Sequence, residues 1–325
     1  MSAIHELVLH HGVERARELA RSKQDRRLVE IAAEMLAEEN ARIGFSHAGF
    51  ALTSLPHKAI PNPVWRRESC RVKLLVESGR DGNAELIGLP YGAKARMILI
   101  YLQTQAVRFD SREIELGRSM RSWLSAMGIA TVGGMTYKQV IEQARRISAC
   151  RLTFLTRQDD VELRQNGAFV DQAISLFGNV DGRQGLLWQD SVTLNELFFH
   201  SLKKHPVPIS ENALKHISGS SLAIDVYIWL AYRMNILEQA IPISWPALFS
   251  QFGSNFGKIS HFKPTFLDAL RLATSVYPEA QVQVDPQKGL ILLPSRPAVA
   301  RKEQSRLRAT GCILACAEEL VWRWW

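Results

Sequence analysis

Two polar clusters able to read a nucleic acid lie about 125 residues apart in this 325-residue chain. The first falls in Thr136–Cys150 (TYKQVIEQARRISAC), where Lys138, Gln139, Gln143, Arg145 and Arg146 are candidate contacts. Arg and Lys suit guanine and phosphate, and Gln suits adenine. At 100° per residue, Tyr137, Val140, Ile141, Ala144, Ile147 and Ser148 share an inner face. Gln139, Glu142, Gln143 and Arg146 then point away, with Lys138 and Arg145 at the flanks. The second cluster falls in Ser260–Tyr277 (SHFKPTFLDALRLATSVY). There Phe262, Phe266, Ala269, Leu270, Ala273 and Tyr277 form the inner face. Ser260, His261, Lys263 and Arg271 are outward or flanking, and Asn255 and Lys258 precede them. Arg157, Arg164, Gln287 and Lys288 fall in loops, where phosphate contacts would add affinity more than sequence discrimination.

Patterns that would indicate catalysis fail on spacing. Gly253-Ser-Asn-Phe-Gly257-Lys258 has three residues between its glycines, not the four of a phosphate loop, and Ile259 stands where a Mg²⁺-holding Ser or Thr is needed. His5-Glu6 with His10 is one residue too long for two zinc ligands one helical turn apart. No G-x-S-x-G occurs, and no His cluster lies near a tyrosine as a strand-nicking site requires. Cys70, Cys150, Cys312 and Cys316 form no C-x-x-C and read as free thiols. The expectation is therefore no catalytic residue, no metal and no cofactor.

The elements that position the two clusters recur in one order. Lys94–Ala106 reads as a buried helix, Glu113–Leu116 as a short strand, Ser119–Met127 as a short helix stopped by Gly128, and Thr136–Cys150 as a third helix opened by a Thr-x-x-Gln capping box. Leu152–Leu155 and Gln172–Phe177 follow as strands around a loop containing Gly167. In the second copy, Ser221–Leu237, Ile241–Ser244, Pro246–Phe252 and Ser260–Tyr277 repeat the series. Strands Gln281–Val284 and Leu290–Leu293 close it around a turn-forming Asp285–Gly289. Helix, short strand, two helices and a hairpin is the order of a winged helix, whose third helix enters the major groove. The predicted fold is thus α+β and helix-rich, with two tandem winged-helix domains and an N-terminal helix. The domains are 85–190 and 191–297. Residues 1–43 supply an amphipathic helix, breaking near Ser22, residues 44–84 a linker or arm carrying Pro56, Pro61 and Pro63, and residues 298–325 a basic, Trp-ending tail.

Composition supports this frame. Forty Lys+Arg against 32 Asp+Glu give a formal net charge of +8, which favours a polyanionic partner. The longest strongly apolar stretch, Val226–Tyr232, is far short of the ~20 residues that a membrane span needs. The expectation is a cytoplasmic chain that contacts double-stranded DNA and no membrane. Arg146→Ala or Arg271→Ala is expected to weaken specific binding more than nonspecific binding.

Gly88-Leu-Pro-Tyr-Gly-Ala-Lys-Ala-Arg96, Tyr101-Leu102, Arg112-Glu-Ile-Glu-Leu-Gly-Arg-Ser-Met120 and Trp123 resemble plasmid replication initiator proteins of the RepA type. So do Gln143 with Arg146-Ile-Ser148, Phe266-Leu-x-Ala-Leu270, Tyr277-Pro278 and Gly289–Pro297. The resemblance spans about residues 85–298. It implies a non-enzymatic initiator that binds repeated sites in a plasmid origin, helps open an AT-rich segment and brings in the host initiator, helicase and primase. Monomers of such proteins commonly act at the origin, while homodimers repress the initiator's own gene. Two alternatives share parts of the chemistry: a winged-helix transcriptional repressor, and a DNA strand-nicking or priming enzyme.

Overall fold

The computed structural model describes residues 2–38, 42–69, 72–117, 119–129, 133–158, 161–172 and 191–299. The tail from 300, the expected strand Gln172–Phe177 beyond its first residue, and Cys70, Cys312 and Cys316 lie outside them. Two compact units result, one built from residues up to Gly44 and from Val207 onward, the other from Phe45–Pro206. Helix and sheet are mixed in an α+β architecture, as expected.

The first unit opens with α1 (Ala3–Leu19), kinked at Gly12, and α2 (Lys23–Leu36). The predicted break near Ser22 is real because Ser22 caps α2: its hydroxyl accepts the Asp25 N–H at 3.0 Å. Val8, Ala16, Val29 and Ala32 pack the two helices together.

The second unit runs through β1 (Ile43–His47), α3 (Ala48–Leu52), β2 (Val64–Ser69), β3 (Val72–Glu77), α4 (Gly92–Phe109), β4 (Glu113–Glu115), α5 (Met120–Ala126) and α6 (Gly133–Ala149). It continues with β5 (Arg151–Gln158), β6 (Val161–Ala168), β7 (Val170–Gln172), β8 (Ser191–Leu194) and α7 (Glu196–Lys204). Strands β2 to β8 form two sheets, ordered β2-β3-β5-β6 and β4-β8-β7. Residues 44–84 are therefore no linker. Their prolines all precede Val64, and the alternating sequence after them forms β2 and β3. β3 lies between β2 and β5 in an antiparallel sheet, with Val72, Leu74 and Val76 buried.

A second correction concerns the hairpin after α6. β5 pairs with β6, so Leu152 lies opposite Gly167, and Arg157 opposite Glu162, inside the four-stranded sheet. The hairpin that pairs with the short strand β4 is instead β7–β8. This keeps β8 (191–194) with the second unit, beyond the expected domain boundary at 190.

The chain returns to the first unit through β9 (Pro206–Ser210), α8 (Glu211–Ile217), α9 (Ser221–Ile236), β10 (Ile241–Ser244), α10 (Trp245–Phe252), α11 (Ile259–Ser275), β11 (Val282–Asp285) and β12 (Gly289–Leu292). Serines cap α8, α9 and α10, and Pro246 lies in the first turn of α10, where its missing N–H is harmless. α9 is apolar almost all round and carries Tyr227, Trp229 and Leu230 fully buried, which places it at the core. Phe252 stacks edge-on to Trp229 and packs against Phe266, which touches Phe262. The sheet order β10-β12-β11 is the counterpart of β4-β8-β7: the short strand pairs with the last strand, and the penultimate strand takes the far edge.

Candidate nucleic-acid interface

The third helix of each copy, α6 or α11, is 17 residues long, and each buries one apolar face. Val140, Ala144 and Ile147 are inside on α6, and Phe262, Phe266, Ala269, Leu270 and Ala273 on α11. The opposite faces are where DNA-reading side chains would have to stand.

On α6, Lys138, Gln139 and Arg145 are exposed as expected, and Met135 beside them is 68% exposed. Arg145 lies 3.7 Å from the Asp81 carboxylate. Gln143 and Arg146 are corrected: they face the segment leading into α4. Gln143 is 4% exposed, and its side-chain oxygen accepts the Tyr91 N–H at 2.8 Å. Arg146 donates to the Leu89 carbonyl at 3.0 Å and to Glu142 at 2.7 Å, with its guanidinium 5.2 Å from the Tyr91 ring centre. The 88–91 backbone runs against the side of α6, and its polar groups need partners there. Gly88 makes the approach feasible. It sits at φ +94°, and a Cβ added there would lie 2.8 Å from Arg146 Nη1.

On α11 and the turn before it, Asn255, Lys258, Ser260 and His261 are exposed, and so is Lys288 in the β11–β12 turn. Lys263 is corrected to a half-buried brace. Its ammonium donates to the Pro286 carbonyl at 3.2 Å and sits 4.8 Å from the centre of the Trp245 ring. The Trp245 indole N–H reaches the Asp285 and Pro286 carbonyls, so the hairpin turn is tied to both α10 and α11. Arg271 is exposed and donates to the Asp25 carboxylate of α2. The Ser22 hydroxyl, then Arg271, holds the Asp25 carboxyl below its ordinary pKa.

Arg96, in the block that carries the resemblance, also has a structural place. It is 4% exposed and donates to the carbonyls of Leu55 at 2.8 Å, Gly92 at 2.9 Å and Pro56 at 3.2 Å. Tyr277 similarly donates to the Arg296 carbonyl at 2.7 Å, fixing the strand exit. Cys150 is a buried free thiol whose pKa burial pushes up to about 12, so it is no nucleophile. Among the described residues no group of three His, Cys, Asp or Glu is placed to hold a metal ion, and no helix is long and apolar enough to cross a membrane.

Sequence reasoning missed Asp25 and Asp81, the carboxylates that meet the exposed arginines. The Ser22-x-x-Asp25 spacing of a capping box was the available signal for the first; Asp81 had none.

Residues 89–246 match the family described as plasmid encoded RepA protein, so the resemblance read from the sequence holds over that range. The blocks at 266–270 and 289–297 lie beyond it. Two crystal structures of domains 2 and 3 of RctB, one a selenomethionine derivative, are similar in fold. The derivative is 10% identical with a TM-score of 0.47 and covers 78% of this chain and 97% of its own. The other is 11% identical with a TM-score of 0.45 and covers 74% and 93%. No curated protein matches.

Proposed function

We propose that this chain, a relative of plasmid-encoded RepA over residues 89–246, is a non-enzymatic plasmid replication initiator that binds repeated origin sites through two winged-helix modules. The family match carries the reading, since it contains the whole first series from α4 to β8. The chemistry of the third helices supports it: Lys138, Gln139 and Arg145 on α6, and Lys258, Ser260, His261 and Arg271 at or on α11, present donors and acceptors on faces opposite the core. Arg and Lys are matched to guanine and phosphate, and Gln to adenine. Asn255 and Lys288 flank α11 and reach the backbone or the minor groove.

In this reading the bound protein helps open the origin and brings in the host initiator, helicase and primase. It acts in the cytoplasm, as a monomer at the origin and as a homodimer when it represses its own gene. The test is equilibrium binding to duplex DNA from beside the gene at several salt concentrations, with random duplex as competitor, followed by an assay for maintenance of a plasmid bearing that DNA. A specificity ratio of about 10³ or more, with a steep salt slope and plasmid maintenance, is expected. Binding without maintenance leaves a repressor; binding no tighter than to random duplex overturns the initiator reading.

A further inference from the structure

The two third helices align residue for residue at an offset of 126. Val140 and Phe266, Ala144 and Leu270, Ile147 and Ala273, and Cys150 and Val276 are buried in pairs. The same offset pairs Arg145 with Arg271, both outward. Their surroundings agree closely. The arginine side chains are 52% and 54% exposed, and each meets an aspartate whose side chain is 25% or 23% exposed.

The aspartates come from unrelated places. Asp81 stands in the turn after β3, where its Oδ1 accepts the N–H groups of Asn83 and Glu85 at 2.9 and 3.0 Å, leaving Oδ2 to Arg145. Asp25 stands in the first turn of α2, where its Oδ2 accepts the Ser22 hydroxyl at 2.8 Å, leaving Oδ1 to Arg271. Repetition of the module accounts for the arginines and does not account for the aspartates. One carboxylate oxygen is anchored locally and the other is presented to the arginine, in both units, by different means.

We propose that Asp81 and Asp25 are specificity-determining residues, which hold Arg145 and Arg271 off the DNA backbone unless the duplex also satisfies the remaining exposed side chains of the same helix. The proposal rests on the DNA-binding reading above. A carboxylate and a phosphate compete for the same guanidinium fork. An exposed Arg–Asp pair is weak and screened by salt, so a phosphate can displace it. Binding to random duplex consists almost wholly of phosphate contacts, whereas binding to a cognate site adds base contacts. A random phosphate must take the guanidinium from the carboxylate, whereas a guanine edge at a cognate site engages the guanidinium's other donors and leaves the pair in place, so the carboxylate weakens random binding by the larger factor.

The test uses the full chain with Asp81→Asn and Asp25→Asn, each of which removes the charge and keeps an amide oxygen for the local anchor. Affinity is measured for random duplex and for duplex from beside the gene, across salt concentrations. Each variant is expected to bind random duplex about twofold to fivefold tighter. The salt slope should steepen by about 0.9 per released arginine, and the specificity ratio should fall. Asp81→Asn should add nothing in an Arg145→Ala background, a comparison that removes any general effect of the substitution on folding. Random binding that is unchanged or weaker in both aspartate variants overturns the proposal, and so does a gain that persists without Arg145. Wild-type protein that binds no duplex overturns the DNA-binding reading and this proposal together. Wild-type protein that binds while the variants match it overturns this proposal alone.

Discussion

Arg146 shows how a residue type suited to DNA can serve the fold. Its guanidinium joins Glu142, the Leu89 carbonyl and the Tyr91 ring, and Gln143 one position earlier holds the Tyr91 N–H. We predict that Arg146→Ala lowers unfolding stability by about 1–3 kcal/mol in denaturant titrations, since it leaves the half-buried carbonyl of Leu89 without this donor. Binding to cognate and random duplex should then fall by the same factor, in contrast to the expectation drawn from the sequence alone. A helical wheel gives the angle of Gln143 and Arg146 relative to the apolar stripe and nothing about a segment lying along the helix flank. Lys138, Gln139 and Arg145 were legible because the wheel sets them off the buried stripe and all three are exposed, Arg145 beside the Asp81 carboxylate.

At the level of elements, the series from α9 to β12 was readable almost throughout, because several of its junctions carry a local signal: serine caps on α9 and α10, Pro246 in the first turn of α10, and the Asp285–Gly289 turn. The first series was harder, since β5 and β6 intervene between α6 and β7, and their alternation mimics the expected hairpin. β3, which pairs with β5, and β2 beyond it lie behind three prolines, which disguised them as an arm. Gly289 is the junction most exposed to substitution. It begins β12 at φ +138°, and a Cβ there would fall 2.0 Å from the Ile243 carbonyl oxygen of β10. Because the obstacle is backbone, Gly289→Ala is expected to break the β10–β12 register and cost more than about 2 kcal/mol. Loss of the cooperative unfolding transition of the first unit, or its displacement to lower denaturant, would be the readout.

For the molecule as a whole, three histidines are held neutral, His5 and His47 buried and His57 half-buried. Burial lowers the His5 pKa to about 4 in the first unit, and His47 to about 3 and His57 to about 2 in the second. His47 accepts the Gly49 N–H on Nδ1, so its Nε2 carries the proton and donates to Ser201. Each folded-state pKa lies below the unfolded value near 6.5, so below that pH the unfolded chain binds more protons. Stability is full above about pH 6.5 and falls as pH drops toward 4 and below. Both units should lose stability over that range, and His47→Gln, which cannot charge, should flatten the pH dependence of the second unit in thermal melts. The discontinuity of the first unit has a consequence in time. Its helices α1 and α2 are made first, yet α2 packs against α8 and α11, which lie beyond the 162 residues 45–206. At roughly 5–20 residues per second, a ribosome needs about 8 to 30 s to cross that interval. During it Leu28, Val29, Ile31 and Ala32 have only α1 to shelter them, so the nascent chain presents an open apolar stripe that chaperones, or a second nascent copy, can reach before its own C-terminal half arrives.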